Sequence, residues 1–243
     1  MKKGIKAILL PDVHLDDKGY APVYEPVKKF IKEFEPDLTV LMGDFANCTS
    51  LSHWNLQKRR KMENLRHDNE IKVLERELDY IQQYSKKTVW LEGNHENWLE
   101  QYLDKHPEMI GSIEYQIKLK LKERGIKWVP MNKLYKVGNL YLTHGMYTGK
   151  YHAAKHLEML GCNICYCHTH MPQEYGCSKT MMKPMKSQGL GCLCDKKPDY
   201  LKGKTGNWRN GFAVLYVADN GEFNLYPIDI ISNRFYFNNK RWD

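Results

Sequence analysis

Five short clusters of metal-ligand residue types punctuate the chain: Asp12-Val13-His14, Gly43-Asp44, Gly93-Asn94-His95-Glu96, His144-Gly145 and His168-Thr169-His170. Carboxylate, amide oxygen and imidazole together suit two divalent ions, with manganese first and iron, zinc or nickel as alternatives; no thiolate is required. One aspartate can bridge such a pair. A water or hydroxide held between ions about 3.5–4 Å apart is a strong nucleophile near neutral pH, and the ions neutralise charge growing on phosphoryl oxygens. That chemistry is hydrolysis of a phosphate ester. Any one of these histidines alone reads as a surface or core residue; the set reads as one shared site.

Each cluster directly follows an apolar run of strand length. The runs are Ile5 to Leu10, Leu38 to Met42, Thr88 to Leu91, Leu140 to Thr143 and Ile164 to Cys167. Between them, apolar residues recur at helical spacing: Val27, Phe30, Ile31 and Phe34; Ile71, Leu74, Leu78 and Ile81; Trp98, Leu99, Tyr102 and Leu103. Ala153 to Leu160 reads as a further helix stopped by Gly161. Gly138-Asn139 and Asp219-Asn220-Gly221 read as hairpin turns, the second between Phe212 to Val217 and Glu222 to Tyr226. The pattern is α/β, a sheet covered by helices. Ligands in open α/β sheets gather beyond the carboxyl ends of strands, so the five clusters are placed to converge.

In order and spacing these motifs resemble the calcineurin-like metallophosphoesterases, over Asp12 to His170, about two thirds of the chain. The resemblance implies a two-layer β-sandwich flanked by helices. It also implies roles. Asp12, His14 and His170 hold one metal, Asp44 bridges both, and Asn94, His144 and His168 complete the second site. His95 binds the phosphate and protonates the leaving oxygen, making it catalytic alongside Asp44; such acid assistance contributes roughly 10²–10⁴ in rate. Glu96 orients a nearby histidine or loop, or contacts substrate. Two departures stand out. The segment Gly43-Asp44-Phe45-Ala46-Asn47 lacks the arginine that grips phosphate in the protein serine/threonine phosphatases of the family, which argues against that branch and leaves Asn47 to face substrate. The last motif begins with Cys167, where the family usually has glycine.

The 243 residues suit a single metallophosphoesterase domain spanning 1–243, with a helical insertion at about 50–87 and a long active-site loop at about 171–210. In that loop Lys179, Lys183, Lys186 and Lys202 surround Gly189, Gly191 and Gly203, as a lid over a phosphate would. Trp208 and Arg209 close it; Trp208 is either a stacking plane for a base or a packed core residue. The basic stretch Lys58, Arg59, Arg60, Lys61 and Arg66 is either a guide for a nucleic acid backbone or a solvated helix face. His152 and His156, four apart, read as an exposed helix face. Seven cysteines cannot all pair, and without a secretory signal they read as reduced structural thiols in a cytoplasmic protein. No stretch has the roughly 20 apolar residues of a membrane helix. The net charge of +8 favours anionic partners, nucleotide or nucleic acid among them. The expected function is hydrolysis of phosphomonoesters or phosphodiesters, nucleotide or nucleic-acid derived, by a hydroxide bridging two metals. A DNA nuclease of the same superfamily is the alternative, and a non-catalytic metal-binding scaffold the third reading. The sequence leaves the oligomeric state open.

Overall fold

The computed structural model describes residues 4–55, 58–178, 180, 183–197 and 206–243, the side chains of Arg59 and Lys61 excepted. Lys179, Lys202 and Gly203 of the expected lid lie outside the described residues. In chain order the elements are β1 (Ile5–Leu10), α1 (Glu25–Phe34), β2 (Leu38–Leu41), α2 (Arg59–Met62), α3 (His67–Tyr84), β3 (Thr88–Leu91), α4 (Asn94–Leu103), α5 (Tyr115–Lys118), β4 (Lys127–Val129), β5 (Tyr135–Val137) and β6 (Leu140–Leu142). There follow α6 (His152–Leu160), β7 (Ile164–Tyr166), β8 (Gln173–Cys177), β9 (Met185–Gly189), β10 (Gly211–Val217), β11 (Phe223–Asp229), β12 (Phe235–Phe237) and β13 (Lys240–Trp242).

Alternate residues of β1 point into two different cores, which sets the layering. Ile8 and Leu10 pack with Val27, Phe30 and Ile31 of α1 and with Leu74, Leu78 and Ile81 of α3. Ala7 and Leu9 pack instead with Leu142 of β6, Cys165 of β7 and Leu215 of β10. The first sheet runs β11-β10-β1-β2-β3-β4 and the second β5-β6-β7-β9-β8, with β12 and β13 paired separately. Strands β1 through β4 are mutually parallel, and β10 joins β1 antiparallel. One face of the first sheet thus carries helices and the other carries the second sheet, a two-layer sandwich flanked by helices. Burial on both faces explains why these strands read as continuous apolar runs. Lys28 of α1 and Glu77 of α3 pair at 2.7 Å and tie the two helices together. No helix among the described residues is long and apolar enough to cross a membrane.

Two readings need correction. The 171–210 stretch is not one long loop: β8 and β9 lie within it, and β9 pairs parallel with β7. The residues of β8 are partly or fully exposed and lack an apolar face, so period-2 patterning gave no sign of it. Also, His152 and His156 are not on an exposed face; they are 1% and 0% exposed. The His156 ring stacks on Tyr166 at 3.7 Å, and His152 Nδ1 hydrogen-bonds the Tyr166 hydroxyl. His156 Nε2 accepts from the Met146 N–H at 3.0 Å, which pins the turn after His144.

Candidate metal centre

The loops leaving β1, β2, β3, β6 and β7 are fastened to one another through the backbone. His14 N–H donates to Asp44 O at 2.9 Å, Leu15 N–H to Phe45 O at 2.8 Å, and Cys167 N–H to His144 O at 2.7 Å. Asp12, His14, Asp44, His168 and His170 all have φ between 45° and 70°. Non-glycine residues in the left-handed region each cost on the order of 1–3 kcal/mol and persist where the surroundings over-determine them. Glycine is required where the loops touch: a Cβ on Gly93 would sit 2.2 Å from Asp44 Oδ1. Glu96 supplies the other fastening. Its carboxylate accepts from the N–H groups of Asp44, Ala46 and Gly93, each at 2.9 Å, and from Trp90 Nε1 at 3.3 Å.

Around Asp44 the functional side chains face inward. Asp44 Oδ2 is 3.4 Å from His144 Nε2 and 3.8 Å from Nε2 of both His14 and His95. Its Oδ1 accepts from the His95 N–H at 2.9 Å. His144 Nε2 is also 3.0 Å from Asn94 Oδ1. Asp44, His144 and His168 present ligand atoms within 4.8 Å of one another, as do His14, Asp44 and His95. On the adjoining side, Asp12 Oδ1 lies 3.2 Å from His170 Nε2, and His170 Nε2 lies 3.4 Å from His14 Nε2. The second oxygen of Asp12 accepts from the His168 N–H at 3.1 Å. All eight residues assigned metal or acid roles from sequence therefore meet in one place.

The outer ring nitrogens fix the tautomers. His14 Nδ1 meets Asn47 Oδ1 at 3.1 Å, His95 Nδ1 meets Asn47 O at 2.9 Å, and His144 Nδ1 meets Met42 O at 3.1 Å. These oxygens can only accept, so Nδ1 carries the proton and each Nε2 presents a lone pair inward. With the rings neutral, these lone pairs and the carboxylate oxygens face each other, and a proton or a cation is needed between them. Asp12 Oδ1 is buried and accepts no hydrogen bond. A donor set of this kind fits divalent cations.

Electrostatics carries the same demand. Burial opposes the charge of Asp44, yet His144 and His95 hold its carboxyl well below the usual range. Burial also opposes charge on His144 and His170, but Asp44 lifts the first to about 9 and Asp12 lifts the second to about 10. Burial and the neighbouring His95 depress His14 to about 3. The two carboxylates thus draw positive charge onto the imidazoles beside them. Burial and Asp44 push Glu96 up to about 8, against the four N–H donors that favour its ionised form.

The remaining candidates fall elsewhere. Asn47 lines the cleft, but both its carbonyl oxygens serve His14 and His95. Glu96 is 1% exposed and joins two loops; it does not reach a substrate. The Trp208 ring is partly buried and lies edge-on to His170, centroids 4.1 Å apart. Arg209 pairs with Asp229 at 3.7 Å, and with Trp208 it lines a different hollow from the cleft. Sequence reasoning missed four contributors. Cys167 Sγ is 3.4 Å from His144 Nδ1, and Cys194 Sγ is 3.8 Å from His170 Nδ1, so two thiols abut site histidines. Glu70 of α3 accepts from the Cys48 and Thr49 N–H groups at 3.2 Å and from the Tyr115 hydroxyl at 2.7 Å. Trp98 of α4 lies against His95, ring centroids 3.9 Å apart. A carboxylate on the apolar stripe of α3 was the available signal for Glu70. Cys167 was visible only as the residue opening the last motif, and Cys194 gave no signal.

A sandwich of two sheets with metal-ligand loops at the strand ends defines a metallophosphoesterase. The calcineurin-like phosphoesterase family model matches residues 5–186, and the protein belongs to that family. Among relatives, the "Gene 54 protein" of Mycobacterium phage L5 is 26% identical over 262 aligned residues, spanning the whole of both chains. Its counterpart from Mycobacterium phage D29 is also 26% identical, again over the full length of both. Among solved structures, Vps29 of Chaetomium thermophilum aligns with a TM-score of 0.49 at 11% identity, over 94% of this chain and 92% of that one.

Proposed function

We propose that the protein hydrolyses phosphate esters, mono- or diesters of nucleotide or nucleic-acid origin, with two divalent cations, manganese foremost. The observation that carries this reading is the Asp44 carboxylate, whose Oδ2 stands 3.4–3.8 Å from imidazole nitrogens delivered by three separate loops. Asp12, His14 and His170 would hold one cation, Asn94, His144 and His168 the other, and Asp44 both. When bound, the paired ions activate the attacking water and neutralise charge on the phosphoryl oxygens. With two carboxylates against two divalent charges, the centre stays net positive and draws an anionic ester.

The chain's own residues do the rest. With its Nδ1–H committed to the Asn47 carbonyl, His95 would take up a second proton on Nε2 and deliver that one to the leaving oxygen. Asn47 thereby aims both a ligand and the acid. Glu96 keeps the Asp44 and Gly93 loops in register. We take the whole chain as one metallophosphoesterase domain, with the α2–α3 insertion beside the cleft.

The test is metal analysis with hydrolysis of aryl phosphate mono- and diesters after reconstitution with manganese, iron(II), zinc or nickel. Two ions per chain with turnover are expected, both lost on Asp44→Asn. Two ions without turnover on any ester would leave a metal-binding scaffold and overturn the enzymatic reading. Degradation of single- or double-stranded DNA in preference to small esters would make the protein a nuclease.

A further inference from the structure

His95 stands between two hollows. One is the cleft of about 580 Å³ that it shares with His14 and Asn47. The other is a separate pocket of about 410 Å³ between the loop after β2 and the start of α4, lined by Ser52, Trp54, Asn55, Lys58 and Trp98 as well as His95. If His95 delivers the proton to the leaving oxygen, the organic group on that oxygen departs past the His95 ring, toward this second pocket. The inference therefore rests on the function proposed above.

We propose that this pocket is a nucleoside subsite, in which the base of a nucleotide leaving group lies against Trp54 and Trp98. Trp54 is 64% exposed at the pocket although it is the kind of side chain that burial favours most. Trp54 and Trp98 both line the pocket, and the Trp98 ring lies 3.9 Å from that of His95. The volume is within the usual range for small-ligand sites. Ser52 is 1% exposed, and its Oγ has no hydrogen-bond partner. A buried hydroxyl without a partner is costly and calls for a ligand group. Asn55 beside it, whose amide donates once to Thr49 O, adds a carbonyl acceptor and one further N–H, and Lys58 adds a cation suited to a further phosphate.

Together these groups select among leaving groups. An aliphatic alcohol would leave the tryptophans unused. The ring of a phosphotyrosine would stack but brings no edge donors or acceptors to Ser52. A nucleobase supplies both a π face and a polar edge. Sequence reading had left Trp208 as either a base plane or a packed residue; the exposed indole of Trp54 stands on the insertion between β2 and β3.

The experiment uses the full chain loaded with manganese. It compares kcat/KM for AMP with that for ribose 5-phosphate, and measures adenosine binding by calorimetry. AMP should be preferred by at least about fivefold, the low end of what base–aromatic stacking contributes. Adenosine should bind and compete with both esters. Trp54→Ala and Ser52→Ala should move the AMP to ribose 5-phosphate ratio toward one, and Trp54→Phe should restore most of the preference. Equal use of the two esters with no adenosine binding overturns the subsite, as does a preference for a phosphotyrosine peptide over AMP. Adenosine binding lost in Trp54→Ala, with no ester hydrolysed, would support the subsite while defeating the hydrolytic reading.

Discussion

His95 and Asn47 define what single residues contribute at this centre. The His95 ring is held by its Nδ1 on the Asn47 carbonyl and by Trp98 at 3.9 Å, so Asn in its place would remove the proton without disturbing the ligands. His95→Asn should lower kcat by about 10²–10⁴ on esters with poor leaving groups while both metals remain bound. Metal content near two with unchanged turnover would assign the acid role elsewhere. Asn47 acts one step further out. Its Oδ1 accepts the hydrogen bond from His14 Nδ1–H, and outer partners of this kind typically contribute 10- to 100-fold in metal affinity. Asn47→Ala should weaken metal binding by about that factor, read by competition with a chelator.

At the scale of elements, α3 supports the site without touching it. Glu70 reaches from the buried face of α3 to the Cys48 and Thr49 N–H groups, immediately after Asn47. Burial lifts its carboxyl from 4.5 to about 7, against hydrogen bonds from Tyr115 and the two N–H groups. Because the folded protein holds this proton more tightly than the unfolded chain, the stability it contributes is complete below about 4.5 and is lost as pH rises through about 7. At roughly 1.4 kcal/mol per pH unit, the loss is on the order of 3 kcal/mol. Glu70→Gln cannot titrate. Denaturant unfolding at several pH values should therefore show wild type losing its advantage over the variant across that window; a constant difference would contradict it. The turn between β3 and α4 offers a second test. Gly93→Ala would drive a Cβ to 2.2 Å from Asp44 Oδ1 and 2.3 Å from Asp44 N, both on a rigid loop. It should cost about 1–3 kcal/mol of stability and abolish metal binding, measured by unfolding and metal analysis together.

For the whole molecule, the ligand loops belong to two sheets. Asp12, Asp44 and Asn94 follow strands of the first, and His144, His168 and His170 follow strands of the second. Cations bound among them would fasten one layer to the other. A ligand present at 100 times its Kd stabilises the native state by about 2.7 kcal/mol, and a chain of this size gains roughly 2–4 °C per kcal/mol. Saturating manganese should raise Tm by roughly 5–10 °C per ion bound, and a chelator should reverse it. In Asp44→Asn the shift should vanish; a full shift there would show that the stabilising ions bind outside this centre.

The strands of the first sheet were legible because both faces are largely buried, which makes Ile5–Leu10, Leu38–Leu41 and Thr88–Leu91 mostly apolar runs with little alternation. The five clusters were legible because carboxylate, amide and imidazole residues recur directly after those strands, types that suit metal ligation. What lacked a periodic signal was invisible: β8 has an exposed, mostly polar strand sequence, and its place is set by pairing with β9. His152 and His156 keep the spacing of a surface pair, and only packing against Tyr166 turned them inward. The sequence by itself determined the family, the strand and helix alternation and the residues that the structure gathers around Asp44. Tertiary structure alone decided which side chains stand behind those ligands and which indole stays open beside His95. Such neighbours come from distant segments, and nothing in local spacing encodes a contact closed by the folding of two sheets.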